Sequence, residues 1–206
     1  MLPINTLKIS LSNLNPSWLK CLTAAAVLWS AWWLMMASHE LGHILAAWLS
    51  GATIERIDLS PIGFSQTHLS DNPHPLLVVW AGPVVGALDA LLAWALVDWW
   101  DRRDPIALLK PAIQFLAGFC LIANGVYIGV GWVDRIGDTG DMLRLGTPVA
   151  VMIGFGLACT GTGLALWHML GPKLWLKQLN TRDAYVLAIA SLAIVMVGFF
   201  ANGLLR

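Results

Sequence analysis

Two histidines four residues apart, with a glutamate between them, are the residues most able to do chemistry: His39-Glu40-Leu41-Gly42-His43. On a helix, residues four apart share a face, so both imidazoles can reach one metal ion. Glu40 sits beside them and can lean over the same site as general base for a water molecule. Zinc would lower the pKa of that water from about 15.7 to around 7, giving a nucleophile at neutral pH. The chain has five His and only two Glu, Glu40 and Glu55. Chance would place this pattern in roughly one such chain in a thousand.

Catalytic zinc usually takes three protein ligands and a water, so a further donor is needed. The longer pattern HExxHxxGxxH is excluded, because Ala46 and Leu49 stand at its last two positions. Glu55 lies 12 residues past His43, in a segment that reads as a hairpin. His68 and His74 read as loop histidines. The richest source is Asp134-Arg135-Ile136-Gly137-Asp138-Thr139-Gly140-Asp141. Asp138 follows Gly137 and precedes Thr139-Gly140, so the chain there can re-enter the protein and carry the third ligand at a glycine-lined tip. Asp134, beside Arg135, reads as an interfacial ion pair, and Asp141 as a cap for a helix leading to Arg144. Asp89 competes with Asp138 as a ligand, and a buried hydrogen-bonded role or a proton path is equally open to it.

The elements that hold these residues follow from composition. The chain has 206 residues, 58% hydrophobic and 12% charged, with a mean hydropathy of +0.71. Soluble domains are nearer half apolar and a quarter charged. Lys+Arg and Asp+Glu balance at 12 each, so no basic excess exists to grip nucleic acid. Five apolar runs, 21–50, 76–100, 111–133, 147–170 and 184–203, each reach the roughly 20 residues that cross a bilayer. The expected fold is an all-α polytopic membrane protein: about five transmembrane helices, a short hairpin between the first two, and one domain over 1–206. The first run, about 45 Å long as a helix, must tilt, bend or protrude. It carries on into the histidine motif, which marks it as a span and not a cleavable leader.

Residues 1–20, with Pro3, Asn13, Asn15 and Pro16, read as an amphipathic or irregular lead-in. Segment 51–75 sets Ile54, Ile57 and Leu59 among charges before Pro61 and Gly63, the pattern of a hairpin. Trp18, Trp99, Trp100, Trp132 and Trp175 stand at span ends as an interfacial belt. Cys21, Cys120 and Cys159 occur singly, as small residues packed in helices. Glu40 and Asn124 both fall within apolar runs. A carboxylate at membrane depth costs about 2.5–3.5 kcal/mol on insertion scales, so Glu40 calls for a function. Asn124 reads as an interhelical hydrogen bond or a substrate-facing group.

Five crossings put eight Lys and Arg on the N-terminal side and four on the other. The positive-inside rule then places the N-terminus in the cytoplasm and the histidine end outside.

With these residues in place, the chain resembles the site-2 protease group of intramembrane zinc metallopeptidases. The resemblance covers about residues 30–146. It rests on HELGH in an apolar run, Ala81-Gly82-Pro83 early in the next, Asn124 in the third, and a later Asp-containing turn. It implies one Zn2+ held by His39, His43 and a distal Asp, Glu40 as base, and Asn124 orienting the backbone of a transmembrane protein substrate. It also implies a site nearer the cytosol, against the charge count, in a multi-pass protein of a cell (inner) membrane. The chain departs from the group at Asn124-Gly125-Val126-Tyr127, where Asn-x-x-Pro is usual, and it has no Leu-Asp-Gly. Two other functions compete: a non-proteolytic zinc-binding scaffold, and an ion-translocating protein using His39, Glu40 and Asp89.

Overall fold

The computed structural model describes residues 16–101, 109–171 and 181–205. Most of the expected lead-in and the interfacial role of Trp175 lie outside the described residues, as do most of the connections at 101–110 and 171–183. The order of elements is α1 (Pro16–Ser50), β1 (Thr53–Asp58), β2 (Gln66–Asp71), α2 (Pro75–Asp101), α3 (Leu109–Gly131), α4 (Asp138–Arg144), α5 (Val149–Leu170) and α6 (Thr181–Leu205). Five of these helices, all but α4, are long and apolar enough to cross a membrane. The protein is an integral multi-pass membrane protein of the expected class. One boundary is corrected: residues 16–20 belong to α1 and not to the lead-in, with Pro16 at the first helical position, where its missing N–H costs nothing. The 35 residues of α1 span about 52 Å, well beyond a hydrocarbon core of about 30 Å.

Lipid tails are as apolar as leucine, so spans associate by close packing and not by the hydrophobic effect. Glycines supply that packing between α3 and α5. A Cβ on Gly129 would lie 2.9 Å from the Cα of Gly156, and one on Gly163 would lie 2.8 Å from the carbonyl oxygen of Gly118. Met35, Met36, Ala87, Ala117, Cys120 and Leu166 form a buried cluster joining α1, α2, α3 and α5. Helix α6 packs on α1, where Phe199 meets Trp29 edge to face at 6.3 Å.

The hairpin forms as expected, β1 antiparallel to β2 with Ile57 opposite Thr67. It folds back along α1. Ile54 and Leu69 pack against Ala46 and Ala47, Phe64 lies 5.8 Å from Trp32, and the Trp29 indole N–H donates to the Pro61 carbonyl at 2.8 Å. Trp29 is 21 residues before the end of α1, about 30 Å along the helix, so the hairpin lies beside the span. Its tip exposes Ile62 and Phe64, apolar residues suited to lipid contact.

The segment after α3 differs from the expected loop. Asp138 begins the short helix α4, whose acidic first turn and basic last turn complement the helix dipole. Thr139 fastens it to the end of α3 through its hydroxyl, which lies 2.8 Å from the Ile136 carbonyl and 3.0 Å from the Gly131 carbonyl. Met142 is buried with Val79, Ile128 and Met152.

Candidate metal centre

His39 and His43 stand one turn apart on α1 and meet edge to face, with ring centroids 4.8 Å apart. Both are buried, at 5% and 7% exposure, and Glu40 between them is 3% exposed. Helix α2 can approach them this closely because Gly42 and Gly82 lack side chains. A Cβ on Gly82 would collide with His43 Nε2 and lie 2.8 Å from His39 Nε2.

Hydrogen bonds fix both rings. His39 Nδ1 lies 2.7 Å from Asn124 Oδ1, while the Asn124 amide nitrogen donates to the Cys120 carbonyl at 2.9 Å. The side-chain oxygen of Asn124 therefore faces His39 and can only accept. His43 Nδ1 donates to the Val78 carbonyl at 2.8 Å. With a proton on each Nδ1, each neutral ring turns a bare lone pair outward at Nε2. Both lone pairs converge on the carboxylate of Asp138, whose Oδ2 is 2.8 Å from His39 Nε2 and 3.4 Å from His43 Nε2.

Three acceptors facing one another call for a cation between them. One ligand atom from each of His39, His43 and Asp138 lies within 4.8 Å of the others. Atoms bound to a tetrahedral zinc at about 2.0–2.1 Å stand roughly 3.3 Å apart, close to the spacings to Asp138. Two imidazoles and a carboxylate are also a donor set that zinc accepts. The residues present fit the metal.

The other sequence candidates sit elsewhere. Asp89 accepts a hydrogen bond from Ser38 at 2.5 Å and is not part of the trio. Asp141 pairs with Arg144. Asp134 makes no ion pair with Arg135, contrary to expectation, and lines the cavity instead. His68 bonds Asp58 at 3.2 Å, and Glu55 and His74 are exposed. Asn124, read as an interhelical hydrogen bond or a substrate-facing group, makes the first: it is 1% exposed, and its polar atoms engage His39 of α1 and the Cys120 carbonyl. In this structure it orients His39.

Three partners were not foreseen. The Val78 carbonyl carries no side-chain signal in a sequence. The Tyr127 hydroxyl accepts the backbone N–H of Asp138 at 2.9 Å. It lies one turn past Asn124, and that i+3 spacing in an apolar helix was the available clue. Gly137, at φ +59°, leaves room for that hydroxyl, which a Cβ would approach to 2.5 Å. Finally, the Thr67 hydroxyl on β2 donates to Glu40 Oε2 at 2.7 Å.

The trio opens on a cavity of about 1200 Å³. Trp32, Met36, Phe64, Ile122 and Trp167 make much of its wall apolar, and Gln66, Thr67 and Leu69 bring β2 to it. A family model described as Peptidase M50B-like matches residues 17–133, more than half of the chain. His39, Glu40, His43 and Asn124 lie within the matched residues, and Asp138 lies just beyond them. No curated protein and no solved structure matches the chain.

Proposed function

The chain belongs to the Peptidase M50B-like family, and from that premise we propose that it is a zinc-dependent intramembrane endopeptidase acting on membrane protein substrates. The observation that carries this reading is the convergence of two Nε2 lone pairs and the Asp138 carboxylate beside buried Glu40, all lining one cavity between apolar helices.

His39, His43 and Asp138 would hold the ion. When bound, zinc supplies Lewis acidity, which favours ionisation of water and polarises the scissile carbonyl. Glu40 takes a proton from the attacking water and passes it to the leaving amide nitrogen, so one carboxylate serves as base and then as acid. Asn124 and the Val78 carbonyl keep the imidazoles in the required tautomer. The apolar residues of the cavity wall restrict water around the site.

A transmembrane helix satisfies its own backbone hydrogen bonds, so a substrate must unwind locally before a peptide bond is accessible. The freed groups need partners. The two-stranded sheet leaves one edge of β2 unpaired among the described residues, and β2 lines the cavity. Seating the unwound segment along that edge as a third strand would satisfy both.

Cells carrying the wild-type chain should be compared with cells carrying Glu40→Gln, which keeps the side-chain shape and removes the base. Membrane proteins should accumulate uncleaved in the variant, while the purified variant retains one zinc per chain. Undiminished cleavage by Glu40→Gln would rule out the role of Glu40. A wild-type chain that binds no zinc would rule out the metallopeptidase.

A further inference from the structure

Glu40 is held from outside its own helix. Side chains alternate along a strand, so Thr67 and Leu69 of β2 face α1, where they meet Glu40 and the Ala46–Ala47 surface. His68 turns the other way, to Asp58 and Arg56. Thr67 lies between two anchored points of the hairpin, the Trp29 hydrogen bond to the Pro61 carbonyl and the Leu69 contact with α1. Its hydroxyl is therefore presented to Glu40 by a braced strand and not by a free loop. Among the described residues it is the only side chain that hydrogen-bonds Glu40.

We propose that Thr67 is a positioning residue for Glu40, so that the strand lining the cavity also aims the base. The inference rests on the reading of Glu40 as general base. A carboxylate serves as base only if one oxygen comes within about 2.6–3.2 Å of the proton it takes. The Thr67 bond occupies Oε2 and fixes the plane of the group, leaving Oε1 for that task. Without the hydroxyl, the carboxylate rotates through orientations of which few are productive. A hydrogen bond to a charged group of this kind corresponds to about 10- to 100-fold in rate.

The test uses the full chain in detergent, with β-casein as the cleavage probe and zinc content measured on each preparation. Thr67→Val, which keeps the branched shape, should lower kcat about 10- to 100-fold, with KM and zinc content unchanged. Thr67→Ala should match it, and Thr67→Ser should restore most of the loss. Wild-type kcat in Thr67→Val overturns the proposal. So does a serine variant as impaired as valine, or loss of zinc or fold in all three, since each would assign Thr67 to packing. A second measurement reads the bond without catalysis. In the metal-free chain, Thr67→Val and Glu40→Leu should each speed hydrogen exchange at residues 66–69, and the double variant should add nothing. Additive effects would show that the two side chains are not coupled. If Glu40→Gln keeps full turnover while the exchange result holds, the general-base reading fails and the contact survives.

Discussion

Replacing Gly82 with alanine puts one methyl carbon where the two imidazoles converge. The added Cβ would lie 2.8 Å from His39 Nε2 and closer still to His43 Nε2, whereas ordinary contact begins at 3.4 Å. His39 must then retreat by roughly 0.6 Å and His43 by more. Neither ring is free to do so, because Asn124 holds one Nδ1 at 2.7 Å and the Val78 carbonyl holds the other at 2.8 Å. Relief comes only by breaking those bonds or by separating α1 from α2. Zinc sites tolerate deviations of about 0.2 Å, so the required shift is several times too large. Zinc per chain should fall from about one to below a tenth, with overpacking costing about 1–3 kcal/mol of stability. The assay is elemental analysis of the purified chain with a thermal melt in detergent. Gly154→Ala is the control, since its Cβ meets nothing within 4 Å. It should keep its zinc and gain about 0.5–1 kcal/mol from the better helix former. A Gly82→Ala chain with full zinc and an unshifted melt would refute the placement of the metal between these rings.

Asp138→Ala should strip the zinc and eliminate cleavage, whereas Asp134→Ala should do neither; metal loss in Asp141→Ala or Asp89→Ala alone would move the third ligand. Tyr127→Phe removes the acceptor for the Asp138 backbone N–H. It should weaken zinc binding about 10- to 100-fold in competition with a chelator, and an unchanged Kd would show that Tyr127 does not hold the ligand in place.

What the sequence made legible follows the range of each interaction. His39, Glu40 and His43 lie within one helical turn, so their spacing alone puts them on one face. The five spans were legible because hydropathy is summed over some 20 residues and single errors average out. Their ends were less so: α1 starts before the continuous apolar run does, because Ser17 and Lys20 interrupt the apolar residues Trp18 and Leu19 in its first turns. Asp138 could be nominated only from its glycines, since it meets His39 across 99 residues. The segment is a short helix and not only a glycine turn, and the acids at 138 and 141 with Arg144 are its signal in the sequence. Thr67 was invisible because the depth to which a hairpin folds back is set by Trp29, Trp32 and Ala46–Ala47 of another element. The Val78 carbonyl was invisible in principle, being backbone.

The donor set also settles a sum of formal charges. In the proposed mechanism Glu40 is an anion and so is Asp138, while the two imidazoles, each with its Nδ1 proton engaged, are neutral. A divalent cation brings the total to zero; a monovalent one leaves a net negative charge and a trivalent one a net positive. In water such a balance would matter little. Beside lipid an uncompensated charge costs several kcal/mol, so valence becomes a criterion of selection alongside ligand type. Filled, the site is an electroneutral object that the spans can enclose. Without the ion the two carboxylates lack that compensation, so capture of the cation is linked to the stability of the helices that enclose it.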